Sequence, residues 1–268
     1  MYPLLLDWGP LQLPTYVVCM FLAVVVIAYL GGREIRRRGQ PLGRWYDFCF
    51  YASLGAIAGA YLLFVGFHYR YYLAHPRRLF YLFQAGLISY GGLLGALGAA
   101  LLYLRIKKLP WRLYLDALAV GLPLGHFLMR LGCFTAGCCF GKPTDLPWAV
   151  TYPSWHLTAG TAVHPAPLYE ALLMLGVFAV IWYYRPRKAF DGQLLLIYLC
   201  LMDWTRFGVE FFRAPQDYRG PVWWSMPLTQ WFALVLALLS MGLLAWGWCR
   251  ARRRHHLANT APPPLPRS

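Results

Sequence analysis

The sequence predicts an all-α, polytopic membrane protein with about seven transmembrane helices and a small extracytoplasmic head. Three observations lead there. Of 268 residues, 59% are hydrophobic and only 13% charged, with a mean hydropathy of +0.45, whereas soluble domains carry about 25% charged residues. Several apolar stretches approach the roughly 20 residues that cross a bilayer. The cations, finally, fall unevenly on alternate connecting loops.

The apolar stretches begin at Tyr16, Phe48, Ala85, Leu113, Pro167, Gly192 and Leu228, and the fourth and sixth hold charges. Loops on one side receive Arg33, Arg36, Arg37, Arg38 and Arg44, then Arg105, Lys107, Lys108 and Arg112, then Arg185, Arg187 and Lys188, then the arginines of the C-terminal tail. The other side receives only Arg70, Arg77, Arg78, Lys142, Arg213 and Arg219. The positive-inside rule puts the N-terminus outside and the C-terminus in the cytoplasm. An odd number of spans agrees. The net charge of +15 is therefore topological, and no nucleic-acid partner is expected.

The opening "MYPLLLDWGPLQLP" lacks a basic leader, so the first span is expected to act as an uncleaved signal. Residues 1–250 read as a single transmembrane helical domain with a head at roughly 133–165. Residues 251–268 read as a basic, Pro-rich cytoplasmic tail. The head segment "TDLPWAVTYPSWHLTAGTAVHP" has the composition for a short hairpin, and Trp148, Trp155, Trp223 and Trp224 suit an interfacial belt.

Charges inside spans are expensive and are functional candidates. Six qualify: Asp116, Arg130, Glu170, Asp203, Arg206 and Glu210. Asp203, Arg206 and Glu210 share a helix face, and Arg206 with Glu210 has i,i+4 spacing. That pair either locks helix packing or orients Arg206 toward a phosphate. His126, Arg130 and Cys133 share another face. Arg130 has no acid within a turn, so its anion must come from a lipid phosphate or from Glu170 or Glu210 on another helix. The glycines after it are expected to leave backbone amides accessible to oxyanions. His126 is readable as a base or as a buried imidazole bonded to a carbonyl.

"RLGCFTAGCCFG" (130–141) leaves alternatives open. Cys133 with Cys138 or Cys139 fits a disulfide on an oxidising face. A zinc site would add His126 or His164, but the spacing is not C-x-x-C. Free thiols packing a pocket wall are the third possibility. No metal and no cofactor is expected.

Taken in order, "LPTYVVCMFLA" (13–23), "SYGGLLG" (89–95), "RLGCFTAGCCFGKPTDLPWAVTYP" (130–153), "VHPAPLYEALL" (163–173) and "RFGVEFFRAPQD" (206–217) resemble the motifs of the prolipoprotein diacylglyceryl transferases. That family moves the diacylglyceryl group of phosphatidylglycerol to the lipobox cysteine of a secreted precursor, releasing glycerol 1-phosphate. The resemblance implies phosphatidylglycerol, membrane lipid and a prolipoprotein signal peptide as partners. It implies that Arg130 contacts the lipid phosphate and that Arg206 and Glu210 hold the head group; with Tyr90 at the position of the family histidine and His126, one turn from Arg130, as its substitute, these form the catalytic set. Arg130, Tyr16, Gly91, Gly92, Cys133, Gly141 and Glu170 would contact substrate. The chain departs from the family at five places: Tyr90 stands where the histidine of His-Gly-Gly is usual, Met202 where tyrosine is, Cys133 where asparagine is, Cys138 where glutamate is, and Ala60 where arginine is frequent. A same-fold paralogue with another acceptor or lipid, or a thiol or metal protein built on Cys133, Cys138 and Cys139, are the alternatives.

Overall fold

The computed structural model describes residues 4–8, 11–77, 89–154, 156–214, 222–224 and 226–260. It is mostly helical. The helices are α1 (Thr15–Arg37), α2 (Leu42–Phe67), α3 (Tyr69–Ala74), α4 (Ser89–Ile106), α5 (Trp111–Thr135), α6 (Ala166–Tyr184), α7 (Gln193–Glu210) and α8 (Leu228–Thr260). Three antiparallel two-stranded hairpins join them: β1 (Leu4–Trp8) with β2 (Leu11–Pro14), β3 (Val150–Thr151) with β4 (Ala162–Val163), and β5 (Val222–Trp223) with β6 (Met226–Pro227).

Among the described residues, α1, α2, α5, α6 and the first part of α8 are long and apolar enough to cross a membrane. The shorter apolar helix Gly91–Ile106 matches the third stretch, and α7, with Asp203, Arg206 and Glu210, matches the sixth. In α2 only 11% of the most apolar window is buried although its mean hydropathy is 1.9. A soluble helix hides its apolar face; this one presents it outward, as a lipid-facing helix does. The protein is a multi-pass membrane protein.

Two compact units are distinguished, Gly32–Tyr114 and Met1–Gly31 with Leu115–Ser268. In the first, α2 and α4 cross at backbone contact. A Cβ on Gly95 would overlap the Gly55 carbonyl, and one on Gly91 would overlap the Gly59 carbonyl. Close helix approach thus explains Gly91 and Gly95 of "YGGLLGALG". An aromatic cluster of Trp45, Phe48 and Tyr114 closes one end, with Trp45 stacked on Phe48 at 5.3 Å.

In the second unit α1 lies along α5. A Cβ on Gly121 would come within 2.7 Å of the Ile27 backbone, and one on Gly132 within 3.0 Å of Cys19. Helices α5, α6 and α7 share a core of Ala119, Val120, Met174, Val177, Ile181, Leu194 and Tyr198. The N-terminus of α7 is capped from another helix. Buried Asp116 of α5 accepts the amides of Gly192, Leu194 and Leu195 at 2.9–3.3 Å and pairs with Lys188 at 2.5 Å. That satisfies amides left without intrahelical partners, so one of the six in-span charges is structural. Helix α8 docks on α7, where Gln230 donates to the Phe207 carbonyl at 3.2 Å.

The predicted head hairpin is present, with Val150 opposite Val163. The β1–β2 hairpin, α3 and the β5–β6 hairpin had no counterpart in the sequence reading. Residues 85–88 and Trp155, and the tail from 261 on, lie outside the described residues; so do the side chains of Tyr90 and Trp223.

Candidate active site

Helices α5, α6 and α7 each bring charge to one point. Arg130 on α5 donates to Glu170 Oε1 on α6 at 2.8 Å. Arg206 on α7 approaches Glu170 Oε2 at 3.6 Å and Glu210 Oε2 at 3.6 Å. Arg213, just past α7, reaches Glu210 Oε2 at 3.4 Å. The anion that Arg130 lacked in sequence is Glu170, which stands between two arginines while only 2% exposed. The Arg206–Glu210 pair expected from i,i+4 spacing forms.

His126 completes the cluster. Its Nε2 lies 3.1 Å from Glu170 Oε1 and 3.2 Å from Arg130 Nε, and its Nδ1 lies 3.5 Å from the Tyr198 hydroxyl. One nitrogen cannot both donate to a carboxylate and accept from a guanidinium. With Nε2 protonated, it donates to Glu170 while Tyr198 donates to Nδ1; with Nδ1 protonated, Nε2 is the acceptor for Arg130. The imidazole is therefore bonded to ionisable side chains and not to a backbone carbonyl. For Asp203, which shares the α7 face with Arg206 and is 5% exposed, no ion pair forms among the described residues.

Tyr16 begins α1 and its ring lies against Gly132; a Cβ on that glycine would meet it at 3.2 Å. Cys133 is buried in the last turn of α5. All seven cysteines are free thiols. Those of Cys133, Cys138 and Cys139 lie within 4.8 Å of one another, and Arg130 Nη1 is 4.0 Å from Cys139 Sγ. Thiol contacts from Cys133 and Cys138, then the charges of Arg213 and Arg130, hold the Cys139 thiol well below the ordinary range, while the Cys138 thiol is raised by the same contacts and by burial.

The amides after Arg130 are not open to an oxyanion as the sequence suggested. Gly137 N–H donates to the Phe134 carbonyl at 3.2 Å, Cys138 N–H to Cys133 at 3.1 Å, and Gly141 N–H to His164 at 2.8 Å. Gly141 instead sits where three segments meet. It bridges Arg213, and a Cβ there would overlap His164 and crowd the Phe212 carbonyl. His164 is held in turn: its Nδ1 contacts the Tyr169 hydroxyl at 3.1 Å, which also accepts from Trp148 Nε1 at 2.8 Å.

That His164–Tyr169–Trp148 chain ends an apolar cavity of about 880 Å³ between α6 and α7, lined further by Leu173, Val177, Val180, Trp204 and Gly208. Its α6 lining from Tyr169 to Val180 is about 16 Å long at 1.5 Å per residue. Tyr198, Arg213 and this cavity escaped the sequence reading. Tyr198 carries no local signal, and a cavity depends on packing. The side chain of Tyr90 is outside the described residues; Gly91 and Gly92 lie in the other compact unit, on α4.

The model of the prolipoprotein diacylglyceryl transferase family matches residues 3–246. The chain belongs to the prolipoprotein diacylglyceryl transferase family. Its relatives include proteins named phosphatidylglycerol–prolipoprotein diacylglyceryl transferase from Bordetella parapertussis (33% identical, covering 90% of this chain and 93% of the relative), Bordetella avium (35%, 88% and 90%) and Methylibium petroleiphilum (32%, 93% and 97%).

Proposed function

We propose that this chain transfers the diacylglyceryl group of phosphatidylglycerol to the lipobox cysteine thiol of a prolipoprotein, releasing glycerol 1-phosphate. One observation carries the reading: a buried cluster in which, among the described residues, Arg130, Arg206 and Arg213 meet Glu170 and Glu210. Positive charge gathered at membrane depth favours an anion. The anion would have an apolar tail, because cavity-lining Tyr169, Thr205 and Val209 adjoin Glu170, Arg206 and Glu210 in the chain.

In the reaction the thiolate sulfur attacks the glycerol carbon, a C–S bond forms, and the C–O bond to phosphorus breaks. The electron pair leaves with glycerol 1-phosphate. Arg130 and Arg206 stabilise the charge growing on the phosphate oxygens. Glu210 orients Arg206, and His126, held by Glu170, takes the thiol proton. Tyr16, Cys133 and Gly141, and on α4 Tyr90, Gly91 and Gly92, are assigned by their place in the family motifs. The signal helix and the lipid would both enter from the bilayer.

The chain crosses a bacterial inner membrane seven times, N-terminus outside and C-terminus in the cytoplasm. Residues 1–250 form the membrane domain, residues 133–165 the outer head and 251–268 the cytoplasmic tail. Loop charge supports this arrangement.

The test is transfer of acyl-labelled phosphatidylglycerol to a lipobox peptide by purified protein. Label on the peptide thiol is expected, falling about 10²–10³-fold in Arg130→Ala, the scale for losing one oxyanion donor. Full transfer by a folded Arg130→Ala variant would overturn the assignment. Tyr90 in place of the family histidine favours a second reading, a paralogue with another acceptor; folded wild-type protein that transfers no label to the peptide would support it.

A further inference from the structure

The three thiols beside Arg130 converge because of how α5 ends. Gly137 has φ +74°. Its amide bonds to the Phe134 carbonyl, and the Cys138 amide bonds to the Cys133 carbonyl. This is a Schellman cap, with Gly137 at the left-handed position. Such a cap brings the residue after the glycine against the residue five positions earlier, here Cys138 against Cys133. The Cys138 thiol lies 3.5 Å from the Cys133 carbonyl. The next residue, Cys139, also has positive φ, +62°, unusual for a side chain with a Cβ. The outcome is three Sγ atoms within 4.8 Å of one another.

We propose that Cys133, Cys138 and Cys139 form a three-thiolate site for one soft, thiophilic metal ion, cuprous copper being the class that fits. Thiolates select Cu(I) and zinc among biological ions. Structural zinc is almost always four-coordinate, and the cluster offers three ligands, with no fourth His, Cys, Asp or Glu among the described residues. His156 packs over Gly137, but its Nε2 is taken by the Gly137 carbonyl at 2.6 Å and its ring stacks on Tyr152, while the His126 Nε2 is engaged by Glu170 and Arg130. Three thiolates on a monovalent ion leave a charge of −2, and the Arg130 guanidinium 4.0 Å from Cys139 opposes it. Binding releases the thiol protons to solvent and changes no oxidation state. The C-x₄-C-C spacing departs from the C-x-x-C of metal knuckles; here a helix cap replaces the knuckle turn.

The experiment titrates full-length, reduced protein in detergent with Cu(I) against a chromogenic Cu(I) chelator. One equivalent per chain is expected, with X-ray absorption showing three sulfur neighbours. Cys138→Ser and Cys139→Ser should each weaken binding at least about 100-fold. A variant with Cys19, Cys49, Cys200 and Cys249 all changed to serine should bind as wild type. Thermal melting of each variant confirms folding; Cys138 is exposed, so its serine variant should melt as wild type. Copper retained by a Cys138→Ser/Cys139→Ser double variant would overturn the site. So would a Cys133–Cys138 disulfide, mapped by mass spectrometry, in protein taken directly from membranes. Zn(II) filling the site while Cu(I) fails to displace it would overturn the choice of ion.

Discussion

Glu170 does the work of two counter-ions. One buried carboxylate sets Arg130 through Oε1 at 2.8 Å and draws Arg206 to Oε2 at 3.6 Å, with His126 at 3.1 Å. Glu170→Gln keeps the shape but removes the charge, leaving guanidiniums that repel each other. Breaking a buried pair typically costs about 3–5 kcal/mol, and an ångström of misplacement in a site costs about 10²-fold in rate. We expect Glu170→Gln to lower kcat/KM for phosphatidylglycerol at least 100-fold with a reduced Tm in detergent; an unchanged rate would mean that the carboxylate does not set the arginines. Gly141→Ala, read by stability and not by activity, tests the packing around the site. Its Cβ would overlap His164, whose backbone already accepts the Gly141 amide at 2.8 Å. A loss of about 1–3 kcal/mol, the range for overpacking, is expected in thermal melts. Part of this was legible at the residue level: charge at membrane depth singled out six residues, of which Arg130, Glu170, Arg206 and Glu210 meet here, whereas Asp116 caps α7 and Asp203 has no ion pair among the described residues. What was not legible was who meets whom. Tyr198 and Arg213 join the cluster because three helices converge, and no spacing along one chain encodes that.

Helix ends carry clearer local signals than helix contacts do. Gly39 after α1 and Gly137 after α5 have left-handed φ of 68° and 74°, and both close six-to-one hydrogen bonds, Gln40 to Ile35 and Cys138 to Cys133. Glycine followed by a stop is a sequence signal. The end of α4 uses the same bond, Leu109 to Leu104, but puts Lys108 at φ 51°; only Pro110 announces it. Glycines inside helices were harder, because identical letters do different jobs. Gly95 lets α4 touch α2, whereas Gly98, one turn on, faces nothing within 4 Å. The two make an internally controlled prediction. Gly98→Ala should be neutral or stabilising, by up to about 1 kcal/mol of helix propensity, while Gly95→Ala should lower Tm because its Cβ meets the Gly55 carbonyl. Equal melting of the two variants would contradict the crossing of α2 and α4. The hairpins β1–β2 and β5–β6 escaped for another reason: short strands in turn-rich segments have no periodicity long enough to read.

For the whole molecule, the proposed orientation rests on loop charge alone. Arginines cluster after α1, after α6 and along the end of α8, and are sparse in the head after α5. The head and the end of α8 are separated by α6, α7 and α8, three crossings on the seven-span reading. They must then lie on opposite faces. Native thiols test this. Cys138 in the head and Cys249 near the end of α8 are both exposed, unlike the other five. With Cys19, Cys49, Cys133, Cys139 and Cys200 changed to serine, a membrane-impermeant maleimide applied to right-side-out vesicles should label Cys138 and spare Cys249. Inverted vesicles should give the reverse. The same label on both residues in one preparation would break the odd number of crossings between them, and a swapped pattern would invert the molecule. Inversion would carry the arginine cluster to the cytoplasmic leaflet, where a secreted precursor never presents its lipobox, so this one labelling pattern constrains the proposed acceptor as well as the topology.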